Sequence, residues 1–356
     1  MKLKSLRDKI DRIDEKILKL LNQRAGEAIK VSEVKEKSSS RIYSPAREAN
    51  ILNQLKKMNK GPLTTEDTEM VFGEILSVCR SQKTVLRAAY LGPQGTFTHL
   101  AAIKKFGKKS EYIPSESIGE VFERVEKGEV DYGVVPIENS IEGVVNYTLD
   151  MFFVSTLKIC AEVTLNVSHS LLGTSLKFAK SKIKKIYSNP QVFAQCRKWI
   201  SRNMPDIELI PVSSTAYAAQ AVKKDSEAAC IGNKILTNLY GLKIIATPLQ
   251  DSPHNFTRFL IIAKNDSLPS GRDKTSILFS IKDKVGALCN VLTSFEKYRI
   301  SLTKIESRPS KRKPWEYYFF VDFTGHRNLT RVQKVLKELK KGCLFVKILG
   351  SYPTES

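Results

Sequence analysis

The 356-residue sequence has no long apolar run, no paired-cysteine motif and no local signature for a metal or a nucleotide. No stretch approaches the roughly 20 apolar residues that a membrane-spanning helix requires, and the charged, periodic N-terminus has no signal-peptide core. Six cysteines are scattered without a CxxC pair, which favours free thiols in a reducing cytoplasm. HExxH, P-loop and GxGxxG patterns are missing. We expect a cytoplasmic protein with no metal, no cofactor and no membrane contact.

The formal net charge is +21 and the pI is about 9.6, which raises the possibility of nucleic-acid binding. The lysines and arginines, however, are spread over the whole length, and no zinc finger, RNA-recognition signature or basic zipper is present. Small dianionic substrates also suit a basic protein. We therefore expect no nucleic-acid partner, and a binder driven by charge alone stays as an alternative from a different class.

The pattern of apolar and polar residues changes twice along the sequence, which predicts three structural units. Apolar residues recur at steps of three and four through residues 5–37, and two further helical stretches follow, so residues 1–84 read as an all-α unit. Strand and helix patterns alternate over residues 86–264, as in α/β sheets. After the linker "NDSLPSGRD", residues 273–352 follow a β-α-β-β-α-β order, which is a ferredoxin-like α+β pattern.

Three cations on the first helix have informative spacings. Arg24 and Lys35 are 11 residues apart and share a face at 3.6 residues per turn. Arg7 is 17 residues before Arg24, roughly 100° out of line, so it cannot easily serve the same pocket in its own chain. Arg7 is therefore either solvated or reaches a pocket in a second copy.

The stretches "LRDKIDRIDEKILKLLNQR", "VSEVK" and "YSPAREANIL" resemble the all-helical chorismate mutases. The resemblance implies an intertwined homodimer or higher homo-oligomer that rearranges chorismate to prephenate with no nucleophile or cofactor. It also implies roles for five residues: Arg7 from the partner and Arg24 bind carboxylates, Lys35 contacts a carboxylate and the ether oxygen, Glu48 holds the ring hydroxyl, and Arg47 adds positive field.

The helical segment departs from the family pattern at three positions. Ser44 stands where some members carry an Asp near the substrate hydroxyl. The register places Lys83 where a Gln or Glu usually donates to the ether oxygen, with Gln82 beside it, and Cys79 falls where members often have Ser. We expect a cation at Lys83 to serve the developing negative charge, and we keep Ser44, Cys79 and Gln82 as substrate-binding candidates.

Five motifs in the middle segment together resemble prephenate dehydratase: "YLGPQGTFTHLAA", "DYGVVPIENSIEGVVNYTLD", "SNPQVFAQCRKWI", "SSTAYAAQA" and "HNFTRFLII". The resemblance implies a two-lobed α/β fold like that of periplasmic binding proteins, with the site in the cleft. It assigns the departing hydroxyl of prephenate to Thr257, which we expect to donate a hydrogen bond or relay a proton.

The same resemblance implies further substrate-binding candidates, namely Thr96, Phe97, Asn139, Ser140, Ser214, Thr215, Arg258 and Phe259. About half of the turn and loop candidates are expected to be caps or turn residues instead. In a strand, Thr257 and Phe259 point one way and Arg258 the other, so Arg258 is either a substrate contact or a supporting ion-pair residue. Lone histidines, including His169, are expected to be packed or solvated.

The C-terminal segment resembles the ACT domain of phenylalanine-regulated enzymes through its "GAL" and "ESRP" motifs. The resemblance implies that L-phenylalanine binds as an effector, with its carboxylate at the helix N-terminus after Gly286. The residues expected to line that site are Gly286, Ala287, Leu288, Asn290, Glu306, Ser307, Arg308 and Pro309.

We interpret the sequence as a bifunctional enzyme of phenylalanine biosynthesis that converts chorismate to prephenate and prephenate to phenylpyruvate, under feedback control by L-phenylalanine. Two alternatives stay open besides the nucleic-acid binder. One is a dehydratase that prefers arogenate. The other is a non-catalytic amino-acid sensor whose mutase has decayed at Ser44 and Lys83.

Overall fold

The computed structural model describes residues 3–37, 43–175, 183–225, 227–282, 284–309 and 317–355. The N-terminal unit is helical, as predicted, with α1 (Leu3–Lys37), α2 (Pro45–Met58) and α3 (Thr65–Ser81). Local chemistry fixes two of the helix starts. The Ser44 hydroxyl accepts a hydrogen bond from the Arg47 N–H with Pro45 in the first turn, and Thr64 forms a capping box with Asp67.

An apolar stripe runs along the first half of α1 and is not covered by the described residues of its own chain. Six side chains at steps of three and four are between 43% and 63% exposed: Leu3, Leu6, Ile10, Ile13, Ile17 and Leu20. A helix of 35 residues is about 52 Å long, so it extends beyond the unit that α2 and α3 form with it. The stripe has the spacing of a helix-pairing seam.

The middle unit has two lobes, each built on one mixed sheet. The first sheet has the order β2-β1-β3-β11-β5, with β4 paired to β3. Its strands and helices are β1 (Arg87–Leu91), α4 (Phe97–Phe106), β2 (Glu111–Ser115), α5 (Ile118–Lys127), β3 (Tyr132–Asn139), β4 (Gly143–Val144), α6 (Asn146–Val154), β5 (Lys158–Asn166) and β11 (Phe256–Ala263).

The second lobe interrupts the first between β5 and β11. Its sheet has the order β10-β6-β9-β7-β8. The elements are β6 (Ser170–Gly173), β7 (Lys185–Ser188), α7 (Pro190–Gln195), α8 (Arg197–Asn203), β8 (Glu208–Pro211), α9 (Thr215–Lys223), β9 (Ala228–Gly232), α10 (Ile235–Tyr240) and β10 (Lys243–Ala246). The two connections between the lobes lie side by side, because the Val167 N–H donates to the Asn255 carbonyl at 2.7 Å.

The C-terminal unit is a four-stranded antiparallel sheet with two helices, in the predicted β-α-β-β-α-β order. It contains β12 (Asp273–Ser280), α11 (Ala287–Lys297), β13 (Leu302–Pro309), β14 (Tyr317–Thr324), α12 (Thr330–Gly342) and β15 (Phe345–Pro353). The strand order is β13-β14-β12-β15. The fold class is therefore as predicted: an all-α unit, a two-lobed α/β unit and a ferredoxin-like unit. No helix of the described residues is long and apolar enough to cross a membrane.

The units share cores instead of being separated by open linkers. Leu278, Phe320, Leu349 and Tyr352 of the C-terminal unit pack in one buried cluster with first-lobe residues that include Leu260. On the other face of the first-lobe sheet, the helical unit inserts Tyr43, whose ring is 5.4 Å from Phe106 and 5.3 Å from Tyr132. The first-lobe sheet is thus packed between the helical unit and the C-terminal sheet.

Candidate functional sites

A hydroxyl and an amide face each other where β11 and β3 pair. Thr257 and Asn139 are opposite residues in that register, and Asn139 Nδ2 donates to Thr257 Oγ1 at 2.8 Å. The amide is held in this orientation because Asn139 Oδ1 accepts the backbone N–H groups of Ile141 (2.9 Å) and Glu142 (3.1 Å). One lone pair of the Thr257 oxygen is therefore occupied. Its own proton has no acceptor among the described residues, so the hydroxyl is free to donate to a ligand.

A chain of polar side chains continues from this pair into the second lobe. Asn139 Nδ2 also contacts Asn255 Oδ1 (2.8 Å), and Asn255 Nδ2 donates to Gln195 Oε1 at 3.3 Å. The same Gln195 oxygen is 2.9 Å from His169 Nε2, and the His169 ring meets the Phe97 ring edge-on at 5.6 Å between centroids. The predicted residues Thr257, Asn139 and Phe97 are thus connected through three residues that sequence reasoning had not assigned to the site.

Burial favours the neutral form of His169, and the tautomer of that form follows from its hydrogen-bond partner. Burial lowers the pKa of His169, although the hydrogen bond with Gln195 opposes that shift. Since the Gln195 oxygen can only accept, Nε2 must carry the proton and donate. Nδ1 is then an acceptor, and it is buried without a partner among the described residues. The His169 ring is therefore a hydrogen-bonding group of the cleft whose neutral form burial favours.

Several predicted cleft residues cap helices or hold turns. Thr96 caps α4, accepting the His99 N–H, and Ser214 caps α9 in the same way through the Tyr217 N–H. The Ser140 hydroxyl accepts the Phe256 N–H at 2.9 Å and joins the strand ends. Thr215 is buried in the first turn of α9. Gly95 precedes Thr96, and a Cβ atom placed on Gly95 would lie 3.8 Å from Ala216 Cβ. The N-termini of α4 and α9 therefore meet across the lobes.

Two residues of the TRF motif lie outside the cleft. Phe259 is 1% exposed and belongs to the core between the sheet and the helical unit, so it supports the strand from inside and does not line the cleft. Arg258 faces the C-terminal sheet, where Nε donates to Glu162 (2.8 Å), Nη1 to Asp322 (2.6 Å) and Nη2 to Tyr352 (3.0 Å). The geometry favours the ion-pair alternative for Arg258, because strand alternation turns its side chain opposite to Thr257.

The helical unit brings Lys35 and Glu48 together beside a residue that was not predicted, Arg80. Arg80 Nη1 forms an ion pair with Glu48, Nη2 donates to the Phe106 carbonyl at 2.7 Å, and its guanidinium lies 4.9 Å from the centre of the Tyr43 ring. Burial raises the pKa of Glu48, while Arg80 and Lys35 act against that rise. Burial lowers the pKa of Lys35, and Glu48 opposes that shift.

The other predicted cations of this unit differ in exposure and in partners. Arg7 and Arg47 are exposed and Arg24 is half-buried. Lys35 and Arg7 are separated by about 42 Å along the helix axis at 1.5 Å per residue, so one chain cannot bring both to one small ligand. Lys83 lies beyond the end of α3, where its Nζ pairs with Glu36 at 2.8 Å.

The neighbours of Lys83 have local partners. The Gln82 side chain donates to the Val78 carbonyl at 3.1 Å, and Cys79 is buried in α3. The predicted ether-oxygen donor is therefore engaged with a carboxylate of α1, since the helix ends before it and the ammonium turns back to that helix.

A pocket of about 390 Å³ opens at the start of α11 in the C-terminal unit. Gly286, Ala287 and Leu288 line it together with Tyr317 and Phe319 of β14. Gly286 has φ 80°, a left-handed conformation that a side chain would strain. Asn290 lies one turn further along α11 and is exposed.

The ESRP motif is divided between the two faces of its strand. Ser307 and Pro309 are exposed and pair in register with the pocket residues Phe319 and Tyr317. Glu306 and Arg308 are half-buried on the other face. Arg308 Nη2 contacts the Asp150 carboxylate of α6 at 3.2 Å and 3.3 Å. Arg308 therefore contacts the α/β unit and not the wall of the pocket, because the pleat of β13 alternates the motif between faces.

Comparison with known proteins gives the same three units. The family model for chorismate mutase type II matches residues 6–84, prephenate dehydratase matches 88–267 and the ACT domain matches 275–341. A bifunctional chorismate mutase/prephenate dehydratase from Aquifex aeolicus is 48% identical over 99% of this chain and 98% of its own length. This chain belongs to that bifunctional family.

Other members and a solved structure agree with this assignment. The relative named for both activities in Pseudomonas aeruginosa is 44% identical over 99% of this chain and 97% of its own length. The crystal structure of prephenate dehydratase from Arthrobacter aurescens, in complex with L-Phe, has a TM-score of 0.70 and 33% identity, covering 76% of this chain and 90% of that one. The middle and C-terminal units are thus a dehydratase domain and an ACT domain, and the helical unit is a mutase domain.

Sequence reasoning missed site residues in both catalytic domains for one reason. Gln195, Asn255 and His169 join the dehydratase cleft only because the chain crosses between lobes twice. Arg80 meets Glu48 from 32 residues away on another helix. None of the four has a local signal beyond its polar type, although Gln195 and Asn255 lie inside the recognised motifs "SNPQVFAQCRKWI" and "HNFTRFLII".

Proposed function

We propose that this chain rearranges chorismate to prephenate in its mutase domain and converts prephenate to phenylpyruvate in its dehydratase domain, with L-phenylalanine as inhibitor. Both activities are those of its full-length relatives. The observation that carries the second activity is the Asn139–Thr257 hydrogen bond of 2.8 Å at the mouth of the cleft. The cation–carboxylate cluster at Glu48 supports the first.

The mutase step needs shape and positive charge and no covalent catalysis. The bond between the ring carbon and the ether oxygen of chorismate breaks while a carbon–carbon bond forms, and negative charge grows on the ether oxygen. Lys35 is half-buried beside Glu48 and is our candidate to meet that charge. The Glu48 carboxylate accepts a hydrogen bond from the ring hydroxyl of the substrate. Arg24, on the same face of α1 as Lys35, binds a substrate carboxylate. Arg80, paired with Glu48, opposes the rise in the pKa of that carboxyl which burial causes.

The dehydratase step removes a carboxylate and a hydroxyl from opposite carbons of one ring. The carbon–carbon bond to the ring carboxylate breaks, its electron pair enters the ring, and the ring electrons expel the hydroxyl. Carbon dioxide leaves, and the departing hydroxide takes one proton from solvent to become water. The Thr257 hydroxyl donates a hydrogen bond to that oxygen as negative charge grows on it.

Asn139 explains why a weakly acidic threonine can do this work. Its amide donates to the Thr257 oxygen, so the threonine proton is directed away from the amide and into the cleft. A donor fixed in this way requires little reorganisation when the bond breaks. The N-termini of α4 and α9 meet nearby, and their N–H groups suit the carboxylates of prephenate.

We assign the pocket at Gly286 to L-phenylalanine. Backbone N–H groups at the start of α11 suit its carboxylate, and Leu288, Tyr317 and Phe319 suit its ring. The Arthrobacter aurescens relative was solved in complex with L-Phe, which supports this ligand. Ser307 and Pro309, next to the pocket on β13, are the effector-side half of the ESRP motif.

We also propose that the functional form is a homodimer formed through α1. Six exposed apolar side chains at helix-pairing spacing require cover, and a second copy of the same helix offers a matching stripe. Such pairing carries Arg7 of each chain toward the Lys35 end of the other. The six free cysteines, four of them buried, suit a reducing compartment, and we place the protein in the cytoplasm.

One assay tests the two activities and separates the alternatives. Purified protein is given chorismate, prephenate or arogenate, and phenylpyruvate and phenylalanine are quantified with and without added L-phenylalanine. We expect phenylpyruvate from chorismate and from prephenate, and inhibition by L-phenylalanine. Phenylalanine formed faster from arogenate than phenylpyruvate from prephenate would favour the arogenate alternative. Turnover of prephenate without turnover of chorismate would favour a decayed mutase.

A further inference from the structure

The residue after Thr257 and the residue before Asn139 both form ion pairs with the ACT domain. Arg258 follows Thr257 on β11, Glu138 precedes Asn139 on β3, and the two lie opposite each other in the strand register. Successive side chains of a strand point to opposite faces. Thr257 and Asn139 therefore face the cleft, while Arg258 and Glu138 face the ACT sheet.

Among the residues that the structure describes, Glu138 has one cation partner, and that partner belongs to the ACT domain. Lys304 Nζ on β13 lies 2.7 Å from Glu138 Oε2, with the lysine side chain 8% exposed and the glutamate side chain 38% exposed. The ammonium of Lys304 is thus largely removed from water, and Glu138 is its counter-charge. The strand β13 is the one that carries the ESRP motif.

Arg258 is held more deeply by a cluster with no net charge. Its guanidinium contacts Asp322 of β14 at 2.6 Å and Glu162 of β5 at 2.8 Å. Lys274 Nζ of β12 is 3.0 Å from Glu162 Oε2, so the cluster contains two cations and two carboxylates. The Asp322 side chain is 0% exposed, so it is fixed by its partners and not by solvent. Burial by itself would lower the pKa of Arg258, but Tyr352, Asp322 and Glu162 raise it, which keeps the guanidinium charged.

We propose that Glu138 and Arg258 are positioning residues of the dehydratase, and that Lys304 and Asp322 of the ACT domain complete the catalytic site by holding them. Each ACT contact fixes a residue one peptide bond away from the hydroxyl or the amide that acts on the substrate. A shift of β13 or β14 therefore shifts Thr257 relative to Asn139. This inference rests on the proposed dehydratase activity.

The same two strands border the effector pocket, which gives the arrangement a regulatory consequence. Phe319 lines the pocket three residues before Asp322 on β14. Ser307 pairs with Phe319 and lies three residues after Lys304 on β13. A ligand between α11 and these strands acts on the elements that hold Glu138 and Arg258. The expected effect is on kcat, because the hydroxyl–amide alignment matters most when the C–O bond breaks.

The test compares Lys304→Met with a matched control, Lys347→Met, in the full-length protein. Lys347 is also a cation of the ACT sheet that contacts the dehydratase domain, but its Nζ donates to the Phe152 and Ser155 carbonyls at the end of α6. We expect Lys304→Met to lower kcat for prephenate about 10-fold with KM changed less than about 2-fold, since small misplacement near reacting groups is costly. Lys347→Met and the mutase activity of both variants should stay close to wild type.

Two further variants make the result specific to the ion pair. Glu138→Gln, at a more exposed position, should reproduce the kcat loss, and the double variant Glu138→Gln/Lys304→Met should be no worse than either single one. Lys304→Arg, which restores the charge, should recover most of kcat. Wild-type kcat in Lys304→Met or in Glu138→Gln, or losses that multiply in the double variant, would overturn the inference. A wild-type protein that does not turn over prephenate would instead refute the proposed function.

Discussion

Asn139→Asp reverses one hydrogen bond in the dehydratase site while changing almost no atoms. In the native site, Asn139 Nδ2 donates to Thr257 Oγ1 at 2.8 Å, and Oδ1 accepts the N–H groups of Ile141 and Glu142. A carboxylate keeps the second set of contacts with one oxygen. Its other oxygen stands where the donor was, so the Thr257 proton turns toward it and is lost to the substrate.

The size of the effect follows from the loss of one preorganised donor. Such a loss costs about 2.7–4 kcal/mol of transition-state stabilisation, which is about 10²–10³-fold in kcat. In the native site the Asn139 amide donates to Asn255 Oδ1 at 2.8 Å. In the variant a carboxylate oxygen faces that oxygen and repels it, so the loss of kcat should lie toward the larger end of that range. Prephenate KM should change little, because the lost interaction grows as the C–O bond breaks.

The assay is steady-state conversion of prephenate to phenylpyruvate, with chorismate turnover by the same sample as the folding control. We expect Asn139→Asp to fall at least as far as Thr257→Val, and Asn139→Ala to fall less, since it removes the directing amide without capturing the threonine proton. Loss of the donor should lower kcat about 10²-fold or more. An Asn139→Asp variant whose kcat is within about 3-fold of wild type would therefore refute this account of how the hydroxyl is directed.

Further predictions concern the mutase domain. Lys35→Ala should abolish chorismate turnover and leave prephenate turnover nearly intact, and mixing it with Arg7→Ala under subunit exchange should restore part of the mutase activity, since one pocket of the heterodimer carries neither lesion. Failure to complement despite proven exchange would place Arg7 outside the partner's site. Arg80→Met should raise the pKa of Glu48 further, because Arg80 opposes the rise that burial causes. The acid limb of the mutase pH profile should then move to higher pH, with the dehydratase profile as control, and an unmoved limb would separate Arg80 from Glu48 ionisation.

Features that depend on neighbouring residues were predictable from the sequence. The cap at Ser44, the first-turn Pro45 and the three-helix count follow from local spacing, and the structure confirms them. The same is true of the strand alternation that turns Arg258 away from Thr257. Motif order in the middle segment predicted the dehydratase family, because five ordered motifs are far less accidental than one.

Features that depend on distant partners were not predictable. No local pattern in the sequence indicates that Arg258 contacts Asp322, 64 residues away, or that Lys304 of the ACT domain contacts Glu138. Lys83 was expected to face the substrate, but the end of α3 at Ser81 lets it turn back to Glu36 of α1. Arg308 was expected at the effector, but the pleat of β13 turns it to Asp150. In each case the partner is fixed by the packing of whole units.

The measurement that tests the central claim most directly is prephenate turnover by Thr257→Ser and Thr257→Val, with chorismate turnover as the internal control. If the hydroxyl donates to the leaving group, Thr257→Ser keeps substantial kcat and Thr257→Val loses at least ~100-fold, the lower end for a missing preorganised donor. If Thr257 is only a branched strand residue, Thr257→Val is the benign change and Thr257→Ser the harmful one. A Thr257→Val variant that matches wild type would contradict the mechanism.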